Sequence, residues 1–238
     1  TLDPRYSKET TAVQLSGVAL NGIPLEPGTA ETYNGDKSWS IEAFDSEGIG
    51  GLGIDWSNAH VQPNGTYHYH ALPEGLLESA LKDQSDDLVH LAWAADGFPI
   101  FYSQSNVYQS SWRVKSGTRP SGPGGSYDGT YTQDFEYVEG LGDLDECNGI
   151  FIYEQYVYLF TDSFPYIQRC VHGTPDVSFE RFGGGQGPGP EGGPQGRETQ
   201  TPDEAVLACR WNKKGGACVI QTGSKTISGT CQTTPDNK

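Results

Sequence analysis

Short apolar segments separated by turn residues run along the chain, and they predict a protein built mostly of strands. Residues 11–20 and the segment after Asn21-Gly22 predict a hairpin, because Asn-Gly suits a type I′ turn. Residues 149–160, rich in Ile, Phe, Tyr and Val, predict a strand. Further strands are predicted over residues 39–44, 67–72, 88–95 and 98–102, of which the last two flank a turn at Asp96-Gly97.

One segment has helical periodicity instead. Apolar residues between Leu76 and Leu81 recur at helical spacing, which predicts a short helix over residues 73–82. Residues 119–128 are rich in Gly and Pro and predict an ordered loop. The expected fold class is mainly β, either β-sandwich-like or α+β with few short helices, with long ordered loops and a disulfide-containing C-terminal tail.

Composition marks a boundary in the last quarter of the chain. Gly and Pro dominate residues 183–200, which predicts a linker between a domain over residues 1–182 and a tail over residues 201–238. The tail is small and polar, so we expect disulfides among Cys209, Cys218 and Cys231 to hold it.

Charge and aromatic content narrow the function classes. The formal net charge of −16 argues against binding to nucleic acid or to an anionic membrane surface. No stretch of 18 apolar residues is present, so no membrane span is predicted. The chain starts at Thr1 and contains no methionine, which favours a processed, secreted protein, extracellular or periplasmic. The 13 Tyr, 9 Phe and 5 Trp supply core volume that few long aliphatic residues provide.

Cysteine usage also favours an oxidising compartment. None of the five cysteines forms a Cys-x-x-Cys pair, so a thiolate zinc site is not expected. Cys147 and Cys170 flank the predicted strand at residues 149–160 and are expected to form a disulfide. A nucleophilic thiol with a histidine base is the less favoured alternative.

Three histidines form the strongest candidate for chemistry. In a strand, His68 and His70 point to one face and Tyr67 and Tyr69 to the other. A turn at residues 63–65 could fold His60 back over the pair. Three neutral imidazoles with an open fourth position suit Cu²⁺ or Zn²⁺. The alternative is that the three rings bond carboxylates or backbone and only pack.

Carboxylates form a second group of candidates. Asp55 or Asp96 could orient a metal-bound imidazole or act as a general base. Asp143, Asp145 and Glu146 could likewise orient an imidazole, or could supply oxygen ligands to Ca²⁺, although no EF-hand spacing occurs. The alternative for each is a turn or capping carboxylate.

The remaining candidate residues are two histidines and the asparagine of an N-glycosylation sequon. His90 lies in an apolar run and is expected to be a core histidine, and His172 is not assigned a role. Asn64 begins the only N-glycosylation sequon, beside the histidine pair, and is a candidate for glycosylation.

A short internal similarity bears on the histidines. Residues 65–71 resemble residues 154–160: both tyrosines recur, whereas the histidine positions become Val157 and Leu159. This pattern gives the tyrosines a structural role and indicates that the histidine face can be a buried apolar face.

Several blocks of sequence, in order and at matching spacing over residues 12–182, resemble the YHYH domain family of secreted proteins. They are residues 22–31, His60 through Tyr67-His68-Tyr69-His70, and residues 94–100, 119–129, 143–149 and 162–166. The tail is similar to a small Cys-rich module appended to some members, without that module's fourth cysteine. The resemblance implies fold and secretion but no defined chemistry. Many relatives also carry histidine in the second tyrosine motif, where this chain has Val157 and Leu159.

These observations predict a secreted protein that binds copper or zinc through His60, His68 and His70. Two alternatives remain. One is a metal-dependent extracellular enzyme, hydrolytic or oxidative, that uses the same ligands. The other is a structural or matrix protein, self-assembling or in contact with polysaccharide, in which the histidines carry no metal.

Overall fold

The computed structural model describes residues 4–44, 51–82, 86–180, 217–222 and 225–230. The chain divides into two compact units, Thr1–Gly187 and Pro188–Lys238. The strands of the first unit are β1 Thr11–Ala12, β2 Gly17–Ala19, β3 Pro24–Leu25, β4 Thr32–Tyr33, β5 Asp36–Ser40, β6 Ala59–Val61, β7 Tyr67–Tyr69, β8 Leu88–Ala94, β9 Pro99–Ser103, β10 Trp112–Val114, β11 Phe135–Tyr137, β12 Gly149–Ile152, β13 Gln155–Phe160 and β14 Cys170–Val171. Its helices are α1 Glu74–Ala80, α2 Val177–Glu180 and a 3-10 turn over Thr132–Asp134.

The mainly β prediction is confirmed, and one large sheet organises the first unit. Eight strands hydrogen-bond in the order β12-β13-β9-β8-β2-β3-β7-β6, while β1 with β14, β4 with β5, and β10 with β11 form small two-stranded sheets. The predicted helix is also confirmed as α1, which packs Leu77 into the core.

The large sheet consists of two halves with the same internal order. In each half a hairpin pairs in parallel with a second hairpin at the sheet edge, β3 with β7 and β9 with β13. The halves meet where β2 pairs antiparallel with β8. The two edge hairpins, β6–β7 and β12–β13, therefore lie at opposite ends of the sheet.

The inner hairpins of the two halves have matching turns. Gly22 donates its N–H to the Ala19 carbonyl at 2.8 Å, and Gly97 does the same to Ala94 at 2.9 Å. The residue before each glycine contacts a tyrosine of the edge hairpin: Asn21 donates to the Tyr69 hydroxyl, and Asp96 accepts from the Tyr158 hydroxyl.

The predicted type I′ turn at Asn21-Gly22 is wrong, although the hairpin itself is present. Gly22 has a φ of 84°, while Asn21 is not among the described residues with positive φ. The turn is therefore type I followed by a left-handed glycine, the usual form of a three-residue hairpin loop. The Asn21 side chain explains the choice, because its Oδ1 accepts the Ile23 N–H and holds the turn.

Residues 149–160 form a hairpin, not the one strand that their composition predicts. Tyr153 and Glu154 take φ values of 47° and 69°, which makes the two-residue turn type I′. Neither residue type is usual at such positions, so composition gave no signal for the turn.

The other strand predictions differ from the structure mainly at their ends. The strand expected over residues 39–44 starts earlier, as β5, and Ile41 makes only an isolated bridge to Tyr131. Strand β7 ends at Tyr69, and the next residue, His70, still donates its N–H to the Asn58 carbonyl at 2.8 Å. The loop over residues 119–128 is ordered as predicted, since buried Arg119 donates to the Gly124 carbonyl and to Asp134.

The tyrosine faces of both edge hairpins pack into one core. Tyr69, Tyr156 and Tyr158 belong to the main cluster of buried apolar side chains, together with Leu77 of α1. The alternation of strand side chains then directs His68 and His70 to the opposite side of the sheet.

In the second unit, β15 Ala217–Thr222 and β16 Lys225–Thr230 pair as an antiparallel hairpin. The linker predicted over residues 183–200 lies outside the described residues, and so do Cys209 and Cys231. The disulfides expected in the tail therefore stay a prediction. In the part of the chain that the structure describes, no helix is both long enough and apolar enough to cross a bilayer.

Candidate metal centre

The hairpin β6–β7 brings two of the three candidate histidines face to face. His60 and His68 are directly opposed partners in its antiparallel register. The turn between the strands is closed by the Gly65 N–H, which donates to the Gln62 carbonyl at 2.8 Å, and Gly65 has a φ of 87°. As predicted, the chain folds His60 back onto the strand that carries His68 and His70.

Backbone carbonyls fix which nitrogen of each ring carries its hydrogen. His60 Nδ1 lies 2.9 Å from the Leu52 carbonyl oxygen, and His68 Nδ1 lies 3.4 Å from that of Thr66. A carbonyl only accepts, so Nδ1 is the protonated nitrogen in each neutral ring. Both Nε2 atoms then carry lone pairs, and they face each other at 3.1 Å. Two opposed lone pairs at this distance repel unless a cation or a proton lies between them.

His70 completes the cluster from a more deeply buried position. Its side chain is 1% exposed, and neither ring nitrogen makes a hydrogen bond of acceptable geometry. Its ring centre lies 4.6 Å from that of His68 and 5.0 Å from that of His60. One ligand nitrogen from each of the three rings can be chosen so that all lie within 4.8 Å of one another.

The surroundings of His68 and His70 favour the neutral form of these two imidazoles. Burial lowers the pKa of the His70 imidazole to about 3, and the neighbouring His68 and His60 rings and the Arg169 guanidinium add to the lowering. Burial, followed by the charge of His60, also lowers the pKa of His68. Neutral imidazole is the form that binds a metal ion, because its unprotonated nitrogen keeps the lone pair that the metal bonds.

Glu26 is a member of the site that sequence reasoning missed. It follows β3, which pairs in parallel with β7, and its N–H donates to the Tyr69 carbonyl at 2.9 Å. Its Oε2 lies 3.8 Å from His68 Nε2 and accepts a hydrogen bond from Gln62 at 2.6 Å. Burial raises the pKa of Glu26, against the opposing effect of the Gln62 bond. Only a long-range parallel pairing brings this carboxylate to the histidines, and nothing local in the sequence signals it.

A small cavity opens beside the cluster. Its volume is about 40 Å³, and its lining includes Glu26, Gln62 and His68. A cavity of this size holds one or two water molecules. The arrangement can therefore admit water-sized molecules to the His68 side of the cluster, but the cavity is too small for a polymer segment.

The predicted carboxylates Asp55 and Asp96 hold turns. Asp55 Oδ1 accepts the N–H groups of Ser57 and Ala59, and its Oδ2 accepts the Tyr67 hydroxyl at 2.6 Å. Asp96 Oδ2 accepts the Tyr158 hydroxyl and the Gly173 N–H. Neither belongs to a group of potential metal ligands among the described residues. Asp55 positions the histidines indirectly, since it shapes the turn that starts β6.

The three predicted acidic residues near position 145 have different surroundings. Asp143 is exposed and accepts the Gln109 N–H at 2.9 Å. Asp145 and Glu146 instead converge with His172 in a second group of potential ligands. His172 comes from the strand end after β14, a position that its neighbours in sequence do not reveal.

The remaining predicted residues have simple surroundings. His90 Nε2 bonds the Ala92 carbonyl at 2.9 Å and its ring packs on Trp93, in keeping with a structural role. Asn64 is exposed, and its Oδ1 accepts the Thr66 N–H. The expected disulfide between Cys147 and Cys170 is present and ties the start of the β12–β13 hairpin to β14.

Comparison with known proteins agrees with the sequence blocks noted above. A family model described as YHYH protein matches residues 1–173 and so includes His60, His68 and His70. The match ends before the tail. No curated protein and no solved structure matches the chain. Because the matched segment spans well over half of the 238 residues, the chain belongs to the YHYH protein family.

Proposed function

We propose that the protein is a secreted metal-binding protein whose ligands are His60, His68 and His70. The observation that carries the proposal is the opposed pair of Nε2 atoms, 3.1 Å apart, on rings whose Nδ1 atoms are committed to backbone carbonyls. Metal–nitrogen bonds of about 2.0–2.1 Å would let one ion bond both atoms. The ion would replace a lone-pair repulsion with two coordinate bonds.

The buried His70 supports the same conclusion. A buried polar group without a hydrogen bond costs about 1–3 kcal/mol in proteins. His70 has two such nitrogens beside the other rings. A metal ion bonded to one of them would offset this cost.

The ligand set favours copper or zinc. Imidazole is a preferred ligand of both, and a neutral three-histidine set leaves a fourth position for water or a carboxylate. Glu26 could supply that carboxylate, since its Oε2 lies 3.8 Å from His68 Nε2. Export is supported by the Cys147–Cys170 disulfide, because such bonds persist mainly in oxidising compartments.

Metal analysis of the protein, purified without added metal and then titrated with Cu²⁺ and Zn²⁺, tests the proposal. We expect one ion per chain at the histidine cluster, and its loss in His68→Val. Valine is the matched replacement because Val157 occupies the equivalent buried position in the other edge hairpin. Identical metal content in the native protein and in His68→Val would reject the proposal.

Glu26 and the cavity support a second candidate, a metal-dependent enzyme acting on water or another small molecule. A carboxylate close to a metal-bound water could accept its proton. The Glu26→Gln variant separates the two functions. A passive binder retains its metal and has no turnover to lose, whereas an enzyme retains its metal and loses activity. The matrix alternative predicts no bound metal in either form.

A further inference from the structure

A second group of side chains that could bind a metal ion lies beside the β12–β13 hairpin, away from the His60, His68 and His70 cluster. Asp145 and Glu146 precede β12, and His172 follows β14. One ligand atom from each of the three can be chosen so that all lie within 4.8 Å of one another. His172 is 3% exposed, and the ring of Tyr6 stacks on it with ring centres 4.7 Å apart.

The hydrogen bonding of His172 leaves one nitrogen unused. Its Nδ1 lies 2.7 Å from the Ser7 carbonyl oxygen, which only accepts, so Nδ1 carries the hydrogen. Its Nε2 is buried and has no hydrogen-bond partner. That nitrogen nevertheless lies 3.2 Å from Asp145 Oδ2. In a neutral ring, a lone pair is thus aimed at a carboxylate oxygen.

Asp145 is itself held rigidly by other groups. Its Oδ1 accepts the N–H groups of Cys147 and Gly149, and its Oδ2 accepts the Tyr156 hydroxyl at 2.7 Å. These bonds fix the carboxylate with its Oδ2 atom 3.2 Å from His172 Nε2.

We propose that Asp145, Glu146 and His172 form a second, independent site for a divalent metal ion of the kind that accepts both nitrogen and oxygen ligands, such as Zn²⁺. One imidazole and two carboxylates suit such an ion better than Ca²⁺, which prefers oxygen ligands alone. The Tyr156 hydroxyl and the Ser7 carbonyl orient the carboxylate and the ring, as hydrogen-bonded groups around metal ligands commonly do. The proposal does not depend on the three-histidine site.

Zn²⁺ stoichiometry, measured by native mass spectrometry and by calorimetric titration of the full chain, tests this site. The background variant carries His60→Ile, His68→Val and His70→Leu, which removes the three-histidine ligands. We expect two Zn²⁺ per native chain, one in the background variant, and none when His172→Asn is added. Asparagine retains a donor near the Nδ1 position and removes Nε2, so it preserves the bond to Ser7.

Glu146→Gln in the same background is the gentler variant, because Glu146 is only partly buried. We expect Zn²⁺ affinity to fall by about tenfold or more. Nitrogen NMR of His172 gives a readout that packing alone would not move: its Nε2 signal should shift on addition of Zn²⁺. Absence of Zn²⁺ binding in the background variant would overturn the proposal, and so would binding that both His172→Asn and Glu146→Gln leave unchanged.

The outcomes also separate the two sites. One Zn²⁺ per native chain and none in the background variant would reject this second site and leave the three-histidine site standing. One Zn²⁺ per chain in both proteins, lost on His172→Asn, would support the second site and reject the first. A His172 ring protonated on both nitrogens and unchanged by Zn²⁺ would assign the Asp145 contact to a simple ion pair, against the proposal.

Discussion

The two edge hairpins share one scaffold and differ in what their outward faces carry. In each, an aspartate starts a turn, an asparagine with a φ of 61° follows three residues later, and a tyrosine hydroxyl donates to the aspartate. The register of the strands matches position by position. The equivalent pairs are Asp55 and Asp145, Asn58 and Asn148, His60 and Ile150, Tyr67 and Tyr156, His68 and Val157, Tyr69 and Tyr158, and His70 and Leu159.

This comparison shows that the scaffold does not need the histidines. Val157 and Leu159 place apolar side chains at the positions equivalent to His68 and His70, and all four residues are buried. In the β6–β7 hairpin the same positions hold imidazoles, and neither ring nitrogen of His70 has a hydrogen-bond partner. Because an apolar side chain would pack at least as well at these positions, the histidines need a reason other than packing, and the proposed metal binding would supply one.

The loops of the hairpins differ as well. The β12–β13 hairpin turns tightly at Tyr153 and Glu154, whereas residues 62–66 form a longer loop in β6–β7. Gln62 and Thr66 of that loop bond Glu26 and His68 respectively. Gln62 thus orients the nearby carboxylate, whereas Ile152, which has no polar side chain, takes the equivalent position in the tight hairpin.

The largest expected effect comes from making the first hairpin resemble the second. The combined variant His60→Ile, His68→Val and His70→Leu should fold and lose the metal ion of this site, with Cu²⁺ or Zn²⁺ affinity falling by more than about a hundredfold because every ligand is gone. Calorimetric titration measures the loss, and circular dichroism checks the fold. If the triple variant kept this metal affinity, the three histidines would not be the ligands that distinguish the two hairpins.

The reverse change should destabilise the second hairpin. Leu159→His replaces a buried leucine with an imidazole that finds no partner, so we expect a loss of about 3–5 kcal/mol in the free energy of unfolding. The matched change His70→Leu should raise the stability of the metal-free protein by about 1–2 kcal/mol. Urea unfolding of both variants measures the difference. A loss of stability on His70→Leu, or no loss on Leu159→His, would contradict the view that both positions favour an apolar side chain.

The pKa of His70 predicts how acid affects the metal-free protein. In the unfolded chain a histidine takes up a proton below about pH 6.5, whereas folded His70 does so only near pH 3. Its contribution to stability is therefore complete above pH 6.5 and is lost progressively as the pH falls towards 3. Each unit of pH across this window costs up to about 1.4 kcal/mol.

Urea unfolding at pH 7 and pH 4.5 measures this dependence, with His70→Leu as the matched control. The control should lose less stability over the same interval, because it has no buried imidazole to protonate. If the native protein and the control show the same pH dependence, His70 is not the group responsible.

The smallest effects concern the shared tyrosines. Tyr67→Phe removes a hydrogen bond to the exposed Asp55, so we expect a loss of at most about 1 kcal/mol. Tyr156→Phe removes one to the more buried Asp145, with an expected loss of about 1.5–3 kcal/mol. Thermal unfolding of metal-free protein measures both. A larger loss for Tyr67→Phe would contradict the burial difference between the hairpins.

Local pattern predicted much of the first hairpin. The alternation of Tyr67 to His70 predicted the histidine face, and the turn at residues 63–65 predicted the return of His60. The similarity of residues 65–71 to 154–160 identified the tyrosines that the two hairpins share, but not the turn of the second hairpin. These features depend on residues close together in sequence, where strand periodicity and turn chemistry act directly.

The rest depends on pairing between distant segments. Glu26 reaches His68 only because β3 runs parallel to β7, and His172 reaches Asp145 only because β14 packs beside the second edge hairpin. The turn at Tyr153 and Glu154 was missed for another reason: sheet pairing imposes left-handed conformations on residue types that do not favour them. No local periodicity reports such tertiary effects.

The most direct test is an anomalous-scattering map at the copper and zinc edges, from crystals of protein purified without chelators and supplied with both metals. We expect a peak bonded to Nε2 of His60, Nε2 of His68 and one ring nitrogen of His70, present in the native protein and absent from the triple apolar variant. Native crystals with no peak between these rings, and with a hydrogen bond joining the two Nε2 atoms, would contradict it.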